Sequence, residues 1–231
     1  MSVGSYLGFD IGDTLVEYGN LPLSWEPYYP NALSGLAEAW KCSFGDAETE
    51  RGCAMLRLYN TRLHPRKNEI AFLEVAEKLA AVFNFTGPVD EQASAAAFFR
   101  FFRQRLRCFP DTIDALRRLR ERGARIGLFT DVPYGMPREF VLDDLAQSGL
   151  DGLYDTLITS RDAGFRKPSP GTLGALARAM GCAPSELTYI GNERKDVEVA
   201  LAVGCQAILL DRAGTNPQWQ QHRTIHSLEE F

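Results

Sequence analysis

The stretch YLGFDIGDTLVEYG, residues 6–19, decides how the rest of the chain is read. The run from Tyr6 to Phe9 ends in Asp10, and Asp13 and Thr14 follow after Ile11 and Gly12. A short apolar run that ends in a carboxylate predicts a buried strand whose carboxyl end presents chemistry. Whether the turn after it is catalytic depends on what the other segments bring to the same edge.

From about residue 108 onward, helical and strand patterns alternate. TIDALRRLRERG predicts a helix closed by Gly123, followed by the strand ARIGLFT. The helix REFVLDDLAQSG precedes the strand YDTLITS, GTLGALARAMG precedes LTYIG, and KDVEVALAVG precedes QAILLD. Such alternation implies right-handed crossovers and a mainly parallel sheet. Between Leu21 and Arg107 the pattern differs. ALSGLAEAWKC, GCAMLRLYNTRL, EIAFLEVAEKLAAVFN and EQASAAAFFRFFRQRL all carry apolar residues near helical spacing, with no clear strand among them and Asp90 as a helix N-cap. The expected architecture is α/β, with a Rossmann-like core over residues 1–20 and 108–231 and an all-helical domain inserted at 21–107.

In an open sheet of this kind, ligands bind beyond the carboxyl ends of the strands. Four of those ends are polar and converge on one edge: Asp10 to Thr14, Thr130 with Asp131, Ser160, and Gly191 to Asp196. Each has an ordinary explanation on its own. A strand-ending Asp forms turns, a threonine suits a strand, Lys167 reads as a solvated charge, and acids after Gly191 suit the first turn of a helix. The combination is what points to a site.

Composition narrows the field. A net charge of −5 argues against general affinity for nucleic acid or anionic membrane. No apolar run approaches the roughly 20 residues that cross a bilayer, and MSVGSYLGFD lacks the basic and apolar regions of a signal peptide. Five scattered cysteines, with no CxxC pair, read as reduced thiols of a cytoplasmic protein. Three histidines share no zinc spacing with them.

Taken in order, FDIGDTL, IGLFT, KPSP and YIGNERKDVEVALAVG resemble the four motifs of the haloacid dehalogenase-like hydrolase superfamily, with residues 21–107 in the place of a helical cap. The resemblance implies that Asp10 is a nucleophile forming an aspartyl-phosphate, that Thr130 and Lys167 hold the phosphoryl group, and that Thr14 and Asp131 complete the substrate contacts. It also implies a magnesium ion (Mg2+) held by Asp10, the Gly12 carbonyl, Asn192, Glu193 and Asp196, and a small phosphorylated metabolite as substrate.

Two positions depart from the family's commonest pattern. Gly12 stands where an acid–base aspartate is usual, and Asn192 stands where an acid is usual. Asp13 is the candidate to replace the missing acid, although neighbouring side chains of an extended segment point to opposite sides. Three readings therefore stay open: a slow magnesium-dependent phosphatase, a metal-independent dehalogenase, and a phosphometabolite-binding regulator. Trp25, Tyr28, Tyr29 and the loop TDVPYGMP are the candidates for lining the pocket, while FFRFF reads as core and RLHPRK and FRQRLR as solvated faces. The sequence carries no sign of oligomeric state.

Overall fold

The computed structural model describes residues 5–19, 24–102 and 106–231. Strand β1 (Tyr6–Phe9) leads to β2 (Val16–Tyr18), then to four helices, α1 (Tyr29–Trp40), α2 (Asp46–Tyr59), α3 (Phe72–Val82) and α4 (Glu91–Phe99). The chain returns through β3 (Leu106–Cys108) and continues as α5 (Thr112–Glu121), β4 (Arg125–Thr130), α6 (Arg138–Gln147), β5 (Thr156–Thr159) and the single turn α7 (Ser160–Ala163). Helix α8 (Pro170–Met180), β6 (Leu187–Gly191), α9 (Arg194–Ala202), β7 (Gln206–Leu210) and β8 (Arg223–Ile225) complete it.

Six strands form one sheet in the order β5-β4-β1-β6-β7-β8, and every pairing is parallel. Strand β1, the first made, thus sits in the middle between β4 and β6. Its side chains alternate between two apolar clusters. Leu7 and Phe9 join Ile126, Leu128 and Ile190 beside α5 and α6, whereas Tyr6 joins Tyr189 and Phe129 beside α8 and α9. Each fully buried Leu, Ile or Phe contributes about 1.5–3 kcal/mol relative to exposure, so a strand covered on both faces is firmly placed. Gly8 and its register partner Gly127 let α8 lie close against the sheet. A Cβ at Gly8 would stand 2.8 Å from Tyr189 and 3.0 Å from Leu176, and one at Gly127 would stand 2.4 Å from Met180 Sδ.

The helices between β2 and β3 pack mutually through Tyr29, Leu33, Leu36, Leu56, Phe72, Leu79, Phe98 and Phe99, all fully or almost fully buried. Asp90 caps α4 by accepting the Ala93 N–H at 2.7 Å. Three local expectations need correction. Helix α4 ends at Phe99: Arg100–Phe102 is a 3-10 turn, and Leu106 belongs to a strand. Arg103 and Arg105 of FRQRLR lie outside the described residues. Second, β2 and β3 pair antiparallel, Val16 opposite Cys108, where no strand was expected. Third, β8 extends the sheet beyond QAILLD. Among the described residues no helix is long and apolar enough to cross a membrane.

Candidate active site

The chain turns sharply after β1. The Asp10 N–H still reaches the Ile190 carbonyl at 2.8 Å, and then the single carbonyl of Ile11 gathers the N–H groups of Thr14, Leu15 and Val16 at 3.3, 2.9 and 3.1 Å. Asp13 takes a left-handed conformation, φ +56°, which Asp tolerates better than bulky residues do. Its neighbour Gly12 does not need to be glycine: its φ lies outside the left-handed region, and a Cβ there would meet only Tyr18 Cε2, at 3.8 Å.

Asp10 is buried and bound to a buried cation. Lys167 Nζ lies 2.5 Å from Asp10 Oδ1, 2.6 Å from Asp196 Oδ1 and 3.4 Å from the Tyr189 hydroxyl. Burial opposes the lysine's charge, but Asp10 and Asp196 outweigh it and hold its pKa well above that of a free lysine. Burial also pushes the Asp10 carboxyl up to about 7 against the pull of Lys167, and Asp196 adds to the rise. The second Asp10 oxygen, Oδ2, accepts a long bond from Thr14 Oγ1 at 3.3 Å, and that hydroxyl also reaches Asn192 Oδ1 at 3.1 Å. Asp196 can fold back onto Lys167 because Gly191 has no side chain; a Cβ there would lie 2.4 Å from the Asp196 carboxyl carbon.

An open cavity of ≈ 190 Å³ lies over these strand ends. Asp10, Gly12, Asp13, Thr130, Asp131, Asn192, Glu193 and Lys195 line its polar side, with Tyr18, Trp25, Arg62, Val132, Pro133, Met136, Val141 and Asp144 around them. Asp131 is tied to two lysines, accepting the Lys167 N–H at 3.1 Å and standing 3.2 Å from Lys195 Nζ. Burial opposes its charge, and Lys167 and Lys195 hold its carboxyl below the usual range. Glu193 is held at 2.7 Å by Arg62 on one oxygen and at 2.7 Å by Lys195 on the other. Despite burial, these two cations bring its carboxyl down to about 2.

The expected residues separate into two layers. Asp10, Gly12, Asp13, Thr130, Asp131, Asn192 and Glu193 face the cavity; Thr14, Lys167 and Asp196 lie behind its wall. Of the aromatic candidates, Trp25 lines the cavity but Tyr29 does not. Tyr29 is fully buried, its hydroxyl 2.6 Å from that of Tyr134 and accepting from Asn60 Nδ2 at 2.7 Å. Tyr28 is also absent from the lining, whereas Asp131, Val132, Pro133 and Met136 of TDVPYGMP belong to it. Sequence reasoning set RLHPRK aside as a solvated face, yet Arg62 reaches the cavity. It did not single out Tyr18, Asp144 or Lys195 either.

A second buried cluster supports the site from below. Glu69, in the segment between α2 and α3, has a side chain only 1% exposed. Its Oε2 accepts from Arg166 Nη1 and from Ser160 Oγ, the latter at 2.5 Å, while Oε1 accepts from Arg66 at 2.9 Å and from the Ile70 N–H at 3.0 Å. Arg166 Nη1 also donates to the Val132 carbonyl at 2.6 Å, and the Val132 N–H donates to Ser160 Oγ at 2.9 Å. One carboxylate thereby joins the loops after β4 and β5 to the residue before Lys167.

The model of the haloacid dehalogenase-like hydrolase family matches residues 7–204, from β1 to just past α9. The chain belongs to this family. Like this hydrolase chain, the HAD phosphatase of Thermococcus onnurineus has the fold: 22% identical, TM-score 0.62, over 98% of this chain and 95% of that one. A 2-haloacid dehalogenase from Pseudomonas syringae gives 18% identity and TM-score 0.66, over 99% and 96%. The phosphoglycolate phosphatase of Escherichia coli is 31% identical over 100 residues, 43% of this chain. That match spans 38% of the phosphatase's length.

A divalent cation of the magnesium type takes oxygen donors, commonly one or two carboxylates together with waters. Among the described residues, no three His, Cys, Asp or Glu side chains gather closely enough to hold a metal. Asp196 is engaged by Lys167 and by the Glu193 N–H, and Glu193 by Arg62 and Lys195. Asp10, the Gly12 backbone and the Asn192 amide remain on the cavity side. This donor set fits a weakly held ion that keeps most of its waters, with a single formal charge from the protein.

Proposed function

We propose that this hydrolase is a magnesium-dependent phosphatase acting on a small phosphorylated metabolite through an aspartyl-phosphate on Asp10. The observation that supports it is the convergence of Asp10, Thr130 and the Asn192 loop on one cavity, with Lys167 beneath the nucleophile. The ≈ 190 Å³ of space corresponds to about six waters at ~30 Å³ each, which suits a phosphoryl group with a short organic remainder. The phosphoglycolate phosphatase relative supports the same substrate class.

In this reading Lys167 orients the Asp10 carboxylate and favours its ionised form. Asp10 attacks phosphorus with an oxygen lone pair while the bond to the leaving oxygen breaks, and water later releases phosphate from the acyl-phosphate. Thr130 donates to a phosphoryl oxygen. Thr14 braces Asp10 against Asn192 rather than touching substrate. Asp10, the Gly12 carbonyl and Asn192 would hold magnesium, which when bound supplies positive charge against the phosphate. Glu193 and Asp196, also expected as ligands, act through their lysine contacts instead. The helices between β2 and β3 serve as the cap, and the free cysteines accord with a cytoplasmic protein.

The deciding experiment is a screen of phosphorylated metabolites with and without magnesium, scored by phosphate release. Release that requires the ion supports the reading. A protein that releases no phosphate from any of them, but frees halide from 2-haloacids, would be the dehalogenase instead. The neutral Asn192 and the missing acid at position 12 favour that second reading, since halide leaves without a proton.

Two variants probe the altered loop. Gly12→Asp should raise alkyl phosphate turnover, by up to about 10²-fold, because general acid–base catalysis is worth that much and the backbone accepts a side chain there. Asp13→Asn should be mild, because Asp13 is exposed and water screens it. Selective loss of alkyl phosphate turnover in Asp13→Asn would make Asp13 the acid. Asn192→Asp should tighten magnesium binding, as read by calorimetric titration; unchanged affinity would remove Asn192 from the ligand set.

A further inference from the structure

We infer that Lys195 is a phosphate-binding cation of this site and holds the phosphoryl group without help from a metal ion. The inference rests on the phosphatase reading and adds to it a residue to which the family resemblance gives no role.

An ammonium group has three N–H donors. Those of Lys167 point to Asp10, Asp196 and the Tyr189 hydroxyl, and its side chain is only 1% exposed. All three donors are thus engaged, and the Lys167 ammonium lies behind the cavity wall rather than in it. Yet a phosphate dianion approaching a carboxylate needs positive charge in front of it, and the metal donors on the cavity side supply little means of fixing one.

Lys195 meets that need. It lines the same cavity as Asp10, Thr130 and Asn192, and its side chain is 28% exposed. Two of its donors face Asp131 at 3.2 Å and Glu193 at 2.7 Å, which leaves one. Those two carboxylates fix the ammonium from either side, and Arg62 shares the charge of Glu193, so the lysine is not wholly neutralised. Lys195 also lies near enough to Asp10 to favour its charged form. A held ammonium on a cavity wall beside a nucleophile is a preorganised charge aimed at where phosphate must sit. Its four-carbon stem allows the small movement needed to reach an incoming oxygen.

The test uses the full chain stripped of divalent ions with EDTA and titrated calorimetrically with inorganic phosphate. The native protein is expected to bind phosphate under these conditions. Lys195→Met should weaken that binding by about 10-fold or more, the scale of a lost charge-assisted hydrogen bond, and Lys195→Arg should retain most of it. Added magnesium should restore more affinity to Lys195→Met than it adds to the native protein. Circular dichroism should match in all three, because Lys195 lies partly exposed on the first turn of α9, and Lys195→Arg, which keeps the contacts to Asp131 and Glu193, should also match the native protein in thermal unfolding. Equal phosphate binding by native and Lys195→Met protein in EDTA would overturn the inference and leave the phosphatase reading standing. So would native binding that appears only with magnesium. Absence of phosphate binding with and without the ion would take down both.

Discussion

Asp10→Asn should reduce metal-dependent phosphate release by about 10⁴-fold or more while the protein remains folded. Losing a nucleophile removes the covalent route altogether, and in other hydrolases that loss runs to several powers of ten. The amide has the shape of the carboxylate, and Lys167 keeps Asp196 at 2.6 Å, so the buried cation is not left without an anion. Single-turnover release from an aryl phosphate, together with circular dichroism, checks both halves of the expectation. Acid-quenched native protein should carry a phosphoryl group on the peptide containing Asp10, and the variant should not. Activity within tenfold of native would move the nucleophile elsewhere, with Asp13 the next carboxylate on the cavity wall.

The second large effect concerns stability. Glu69→Ala should cost about 3–5 kcal/mol, the usual scale for breaking a buried ion pair by removing one partner. Arg166, 7% exposed, would keep its charge and lose its carboxylate, and Ser160 and Arg66 would lose an acceptor as well. Against a typical total of about 5–15 kcal/mol, that is a large fraction of the protein's stability. Urea denaturation measures it. Glu69→Ala with Arg166→Met should recover part of the loss, since no uncompensated charge then remains buried. A single-variant cost below about 1 kcal/mol would show that Arg166 finds another partner or water.

The parts of the fold that periodicity controls were legible in the sequence. Leu7 and Phe9 announce a buried strand because nothing polar interrupts them, and Gly123, with φ +86°, closes α5 as its position suggested. The strands β2 and β3 escaped because three residues carry too little alternation to distinguish from a loop, and Leu106 and Cys108 looked like a continuing helix. The site was legible where residues stand at strand ends. It was not legible where the meaning of a side chain depends on a partner far along the chain. Lys195 reads as an ordinary helix lysine until Asp131 is placed beside it, and Arg62 as a surface charge until Glu193 is. Glu69 has no local signal at all; only the meeting of its segment with Phe165 and Arg166 buries it.

The carbonyl of Thr14, in the turn after Asp10, accepts from Arg212 Nη2 at 2.9 Å, across 198 residues of sequence. Arg212 is itself gripped by both oxygens of Asp111, at 2.8 and 2.9 Å, and Asp111 also accepts from Ser227 and from the Leu228 N–H. Strand β1, which leads into Asp10, is likewise flanked by β6, made long after it. On the ribosome, therefore, the turn after β1 emerges early and waits for its last fastening. At about 5–20 residues per second, that wait is about 10–40 s. The apolar strand β1 gains β4 only part-way through that wait and β6 only near its end, which makes translation speed, rather than any single contact, the quantity that governs how long this chain is exposed to misassembly.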